Sequence, residues 1–151
     1  MRLPGRRVSR ALPLLSAGGG QRSWHQGDHL RTMTTRLINS AELAVLRATL
    51  DRAPVAAAAR QFTADLESLQ VVGRCECGCD SVDFADSDTT RRSKPIGDGI
   101  GTTRAGGKVG VIVWGTAEAV TGLEIYDLGA GAADLRLPDP ESIQRFSTGA
   151  A

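Results

Sequence analysis

The chain has 151 residues and a formal net charge of +1, and its charge is distributed unevenly. Residues 1–36 contain seven arginines, no lysine and one acidic residue, Asp28, so their net charge is +6 and that of residues 37–151 is −5. The length fits one ordinary domain. No apolar run approaches the roughly 20 residues that span a bilayer, so we expect no membrane association.

The first 36 residues form an arginine-rich leader, which we expect to be disordered and to lie outside the fold. Its composition resembles that of a mitochondrial transit peptide, although a simpler interpretation is that translation starts near Met33. Both histidines, His25 and His29, belong to this leader. The predicted domain, residues 37–146, therefore has no histidine for a His-based nucleophilic or zinc site.

Two helices are predicted at the start of the domain. The first covers residues 40–51, because Asn39 and Glu42 have the spacing of a capping box and precede an apolar stripe. The second covers residues 54–68, because Pro54 suits the first turn of a helix and apolar residues follow at steps of three and four. These helices form the helical part of the predicted fold.

After the second helix, the apolar pattern changes to the period of a β-strand. Alternation over residues 69–75 and again over 82–84 predicts a hairpin with the cysteines at its turn. A second hairpin is predicted from "KVGVIVWG" (108–115) and "TGLEIYDL" (121–128). Residues 86–107 are rich in glycine and polar residues and have no periodicity, which predicts a long loop that is either mobile or functional.

The predicted fold class is α+β, with two N-terminal helices followed by an antiparallel sheet of about four strands and a short C-terminal helix. Pro140 is placed to start that last helix, and Ile143 and Phe146 are expected to dock on the sheet. Residues 147–151 are expected to fray.

The order of these blocks over residues 40–140 resembles that of a group of small bacterial proteins. The shared features are the helix pair, an "RCxCGC" turn (74–79), an "LExY" strand (123–126) and a proline-bearing "LPDP" segment. The resemblance implies a common fold. It implies no function, because no reaction, ligand or partner is established for that group. It also favours a start near Met33.

All three cysteines of the chain, Cys75, Cys77 and Cys79, lie within five positions. A tetrahedral zinc site needs four ligands, so the missing one would come from Asp80, Asp83, water or a second chain. Alternate residues of an extended strand are about 6.6 Å apart, so the chain must bend at the intervening glycine for the thiolates to meet. Three thiolates alone suit copper(I).

Two other interpretations of the cysteines are open at this stage. Cys77 and Cys79 could form a disulfide with Cys75 as the resolving thiol, which would make the turn redox-active. Alternatively, Cys75 packs as a small apolar residue, and Cys77 and Cys79 lie in the turn without a chemical role. An odd number of cysteines fits a reducing compartment, so a cytoplasmic location is expected.

Motifs for nucleotide and calcium binding fail on inspection. The Gly-Lys pair at the end of the glycine-rich segment has Thr102 where a phosphate-binding loop needs glycine, and Val109 where it needs serine or threonine. Asp86 and Asp88 begin a calcium-like pattern that breaks at Thr90. No enzymatic activity is therefore expected.

We expect a small non-enzymatic binding or interaction domain. Trp114 and Tyr126, on facing strands, are candidates for an exposed patch that binds a protein partner or a second copy of the chain. If both prove buried, they belong to the core instead. The negative charge and few aromatic residues of the domain argue against nucleic acid. The alternative function is zinc or copper binding, or redox chemistry, at the CxCGC turn.

Overall fold

The computed structural model describes residues 35–55, 62, 65–129 and 135–146. Over these residues the chain forms helices α1 (Ser40–Arg52) and α2 (Ser87–Arg91) and single 3-10 turns at Leu66–Ser68 and Pro140–Ser142. The strands are β1 (Arg36–Leu37), β2 (Gln70–Val71), β3 (Gly73–Arg74), β4 (Val82–Asp83), β5 (Lys94–Thr102), β6 (Lys108–Gly115), β7 (Val120–Asp127) and β8 (Gln144–Arg145).

The strands form two antiparallel sheets, which confirms the α+β class. Strands β1 and β2 pair with each other, and the other six form a sheet in the order β3-β4-β7-β6-β5-β8. Both predicted hairpins are present, as β3–β4 and β6–β7. The main sheet has six strands rather than about four, because β5 and β8 join it at one edge.

Helix α1 begins at the predicted capping box. The Asn39 side chain accepts a hydrogen bond from the Glu42 amide at 2.9 Å, and the Glu42 carboxylate accepts one from the Asn39 amide at 3.0 Å. Its inner face buries Val45, Leu46 and Leu50 almost completely. Burial of each such side chain stabilises the fold by about 1.5–3 kcal/mol, so this face anchors the helix on the sheet.

The core lies between α1 and one face of the six-stranded sheet. Alternate residues of β6 and β7 are buried on this face: Val109, Val111, Val113, Leu123 and Ile125. The larger residues between them belong to the opposite face and are half-exposed: Ile112, Trp114, Glu124 and Tyr126. The predicted alternation of both strands is therefore confirmed.

The predicted second helix, residues 54–68, is wrong at both of its described ends. Pro54 forms an isolated β-bridge with Gly97, and Leu66–Ser68 is a single 3-10 turn. Most residues between them lie outside the described part of the chain. The Val55 amide donates to the carbonyl of Ile96 in β5, so the chain leaves α1 extended along β5 instead of starting a helix.

The predicted loop at residues 86–107 is also wrong, because it contains α2 and the nine-residue strand β5. Three inward positions of β5 are glycines, so the usual apolar alternation is missing from the sequence. A Cβ at Gly97 would lie 3.1 Å from the Thr49 side chain, and one at Gly101 would lie 2.6 Å from Pro138. The glycines let α1 and the C-terminal segment pack closely on the sheet.

The predicted C-terminal helix is a 3-10 turn, Pro140–Ser142, that leads into β8. Ile143 is buried as expected, whereas Phe146 is 39% exposed. The Arg145 side chain donates to the carbonyl of Pro54 at 2.6 Å and β8 pairs with β5, so strand pairing replaces further helical turns.

Predictions for the two ends of the chain lie largely outside the described residues. This applies to the disorder of the leader up to residue 34 and to the fraying of residues 147–151. Arg36, which the prediction placed at the end of the leader, belongs to β1 and forms an ion pair with Glu42. Within the described ranges, no helix has the length and apolar character needed to cross a bilayer.

Candidate functional site

The three cysteines lie in the turn between β3 and β4. The Cys75 amide donates to the carbonyl of Ser81 at 3.2 Å, which continues the hairpin pairing beyond the strands. The Gly78 amide then donates to the Cys75 carbonyl at 3.4 Å. Gly78 has a φ of 84°, a conformation that favours glycine. The bend that a shared thiolate site requires is therefore present.

The turn brings the three sulfur atoms together. All three lie within 4.8 Å of one another. The Cys75 and Cys77 sulfurs are in direct contact at 2.8 Å, and Cys77 Sγ also accepts from the Cys79 amide at 3.4 Å. Cys79 Sγ donates to Ser81 Oγ at 3.2 Å. The separation of about 6.6 Å expected for alternate residues of a strand does not apply, because these residues form a turn.

The cysteines differ in exposure and in acidity. Cys75 and Cys77 are exposed, while Cys79 is buried. Partial loss of hydration raises the pKa of Cys75 to about 12, and its hydrogen bond with Cys77 adds to this shift. The hydrogen bonds that Cys77 receives from Cys75 and Cys79 lower the pKa of the Cys77 thiol. Cys77 therefore ionises before Cys75.

Asp80, the predicted fourth ligand, has other partners. Its carboxylate accepts from the Leu137 amide at 2.9 Å and from Arg136 Nη1 at 3.2 Å. The group of close metal-ligating atoms found among the described residues consists of the three cysteines alone. Asp80 instead ties the cysteine turn to the C-terminal segment.

The second predicted pair, Trp114 and Tyr126, lies on the sheet face opposite α1. Trp114 Nε1 donates to the Glu124 carboxylate at 2.8 Å, and the Tyr126 hydroxyl donates to Asp98 at 3.3 Å. Both aromatic side chains are half-exposed. They are therefore neither core residues nor free surface groups, since each is held by an acidic neighbour.

Sequence reasoning missed two residues that shape these sites. Asp98 lies in a segment predicted as a loop. Glycine alternates there with other residues from Gly97 to Thr102, so the period is that of a strand but the apolar side chains that identify one are missing. Ser81 belongs to no motif that the sequence shows. Its hydroxyl accepts from the Ile125 amide at 2.9 Å and from Cys79 Sγ, so it positions the third thiol.

Comparison of the chain with protein-family models, with curated proteins and with solved structures finds no match.

Proposed function

We propose that the chain binds a thiophilic metal ion through Cys75, Cys77 and Cys79, and that copper(I) is the ion that fits best. The observation that carries this proposal is the grouping of three sulfur atoms within 4.8 Å in one short turn. Thiolates are soft ligands that select copper(I), zinc and iron–sulfur centres over magnesium or calcium. To hold one ion, the exposed Cys75 and Cys77 sulfurs, which are 2.8 Å apart, would have to separate, because thiolates that share an ion with metal–sulfur bonds of about 2.3 Å are about 3.8 Å apart.

The number of ligands favours copper(I) over zinc. Structural zinc sites have four protein ligands in a tetrahedron, whereas three thiolates satisfy copper(I). Asp80 is engaged by the Leu137 amide and by Arg136, so its use as a fourth ligand would cost two hydrogen bonds. Zinc binding at this turn would need water or a second chain to complete the site.

The order in which the ligands bind follows from their acidity. Metal binding requires thiolates and therefore releases protons. Cys77 is exposed and has a lowered pKa, so it makes the first bond to the ion. Cys75, whose pKa is raised to about 12, releases its proton only when the metal replaces it. Affinity should therefore rise with pH.

An anaerobic copper(I) titration against a chromophoric chelator tests this proposal, with native mass spectrometry to count bound ions. We expect one copper per chain and a loss of affinity of at least about tenfold in both Cys77→Ser and Cys79→Ser. Asp80→Asn, the matched control, should bind copper like the wild type. The copper proposal is overturned if no ion binds at one equivalent, or if zinc binds with an affinity that depends on Asp80.

A second candidate function is protein binding through the sheet face opposite α1. The observation that favours it is the half-exposure of Trp114 and Tyr126 on one face, beside the carboxylates of Glu124 and Asp98. Exposed aromatic residues on a rigid sheet are typical of interaction surfaces.

A further inference from the structure

The sheet face opposite α1, here termed the open face, combines apolar and acidic side chains. Strand register aligns the residues of this face in three rows across neighbouring strands. In each row the middle residue pairs with both of the others, and the rows are Asp83–Gly122–Trp114, Glu124–Ile112–Asp98 and Tyr126–Gly110–Ile100. Asp83 is exposed and the other large side chains are half-exposed. Neighbouring strands of a sheet are about 4.8 Å apart. The apolar side chains of Ile100, Ile112, Trp114 and Tyr126 therefore lie only one or two strands from the carboxylates of Asp83, Asp98 and Glu124.

The aromatic rings of the open face are preorganised by contacts within the chain. A Cβ at Gly110 would collide almost equally with Cζ, Cε1 and Cε2 of Tyr126, so the phenol ring lies flat over this glycine. Its hydroxyl donates to Asp98, and Trp114 donates to Glu124. One surface of the Tyr126 ring rests on the sheet, which leaves the other to a ligand. Such preorganisation reduces the entropy lost on binding.

The open face carries three carboxylates, and Arg145 lines the same small surface pocket as one of them, Asp98. None of the ion pairs found among the described residues includes Asp83, Asp98 or Glu124. Although Asp83 is exposed as a whole, its carboxylate lies against Gly73, and this partial loss of hydration, with the charge of Glu124, raises the pKa of Asp83. Loss of hydration, with the charges of Asp98 and Glu124, also raises the pKa of Tyr126 to about 12. Lys108, in register with Thr102, lies in the row next to Gly110 and Tyr126, at the end of the face away from Asp83.

We propose that the open face binds an arginine-rich peptide segment of a partner protein. This inference rests on the second candidate function and is independent of the cysteine site. A guanidinium is planar, so it stacks on a ring that lies flat, as Tyr126 does. Its fork of donors also matches carboxylates such as Asp98 and Glu124. A peptide with several arginines would use both properties along the face.

Lysine and metal ions fit this face less well. The lysine ammonium is a compact, strongly hydrated charge that pairs with a carboxylate but gains less from stacking on a ring. A divalent cation would use the carboxylates and leave the aromatic side chains without a role. A second copy of the chain would bring the same three carboxylates to the contact, and like charges oppose each other there.

Fluorescence anisotropy of the full chain with a labelled octa-arginine peptide, at low salt, tests the inference. Glu124→Gln keeps an acceptor for Trp114 Nε1 but removes the charge, and Asp83→Asn removes a second charge. We expect the double variant to weaken peptide binding by at least about fivefold. Asp51→Asn, which removes an exposed acid on α1, is the control and should change binding less than about twofold.

Several outcomes would overturn the inference. One is equal weakening by Asp51→Asn, which would indicate unspecific attraction, and another is equal affinity for octa-lysine. A wild type that forms dimers in light scattering, and loses them in Glu124→Gln, would show that a second copy covers the face. Thermal unfolding of each variant checks that it is folded. Cys77→Ser should leave peptide binding unchanged, so failure here is distinguishable from failure of the copper proposal.

Discussion

The Tyr126 ring fills the space in which Gly110 would carry a side chain. The two residues face each other across β6 and β7, and a Cβ at Gly110 would overlap three ring carbons. We expect Gly110→Ala to displace the ring, to break its hydrogen bond with Asp98, and to lower the free energy of unfolding by about 1–3 kcal/mol. Urea denaturation measures the change.

Gly122 provides the matched control for this substitution. It lies on the same strand pair and the same face, but a Cβ there would meet no atom closer than 3.5 Å. Gly122→Ala should therefore change the free energy of unfolding by less than about 0.5 kcal/mol. In a Tyr126→Ala background, Gly110→Ala should become almost neutral. If Gly110→Ala lowers the free energy of unfolding as much in that background as in the wild type, the steric explanation is contradicted.

The sequence predicts those elements whose side chains carry a clear period. The capping box at Asn39 predicts α1, and the alternating valines of β6 predict a central strand, because each pattern reports which side chains face the core. Strand β5 is not predicted, because three of its inward residues, such as Gly99, have no side chain and the apolar alternation of a strand is therefore missing. Their role is visible only once α1 and Ile143 are seen to pack against them.

The candidate site was predictable to a similar degree. The clustering of cysteines and the need for a bend at Gly78 follow from the sequence, and the structure brings the three sulfurs together. The partners of Asp80 do not follow, because Arg136 and Leu137 are more than 50 positions away. Only the fold places them beside the turn and gives the carboxylate a use other than metal binding.

The hydrogen bond between Cys75 and Cys77 predicts unequal thiol reactivity. Thiolates are the reactive form, and the pKa is lowered at Cys77 and raised at Cys75. With iodoacetamide at about pH 7, Cys77 should be alkylated first, as measured by mass spectrometry of the modified peptides. Cys75→Ala removes the donor, so alkylation of Cys77 should slow by about threefold or more.

Cys75→Ser is the control for this experiment, because the hydroxyl retains a donor near Cys77. Its effect on the alkylation rate should be smaller than that of Cys75→Ala. Preferential alkylation of Cys75 in the wild type would contradict the assignment of Cys77 as the more acidic of the two exposed thiols.

The ion pair between Arg36 and Glu42 predicts a loss of stability in acid. Although burial opposes the shift, the hydrogen bonds from Arg36 and Asn39 lower the pKa of Glu42 below its ordinary value of 4.5. A carboxyl with a lowered folded pKa contributes stability that is present above about pH 4.5 and is lost as pH falls through the folded pKa. Urea denaturation across this range should show the decline.

Glu42→Gln should remove this part of the pH dependence of stability. At neutral pH it should lower the free energy of unfolding by about 1–3 kcal/mol, because it leaves the Arg36 guanidinium without its charged partner. Glu67→Gln is the control. It removes an ion pair with Arg47 in which both side chains are largely exposed, so its effect should stay below about 1 kcal/mol. An unchanged acid profile in Glu42→Gln would assign the decline to other carboxyl groups.

The hydrogen bonds of Asp80 connect the cysteine turn to the C-terminal segment, so we expect this residue to stabilise both. Asp80→Ala leaves the Leu137 amide without its acceptor. We expect the free energy of unfolding to fall by about 2 kcal/mol and hydrogen exchange at that amide to become faster. Asp80→Asn keeps an acceptor oxygen and should cost less. Copper affinity should change little in either variant, since the carboxylate is turned towards Leu137. A large loss of copper affinity with unchanged exchange at Leu137 would instead make Asp80 a metal ligand.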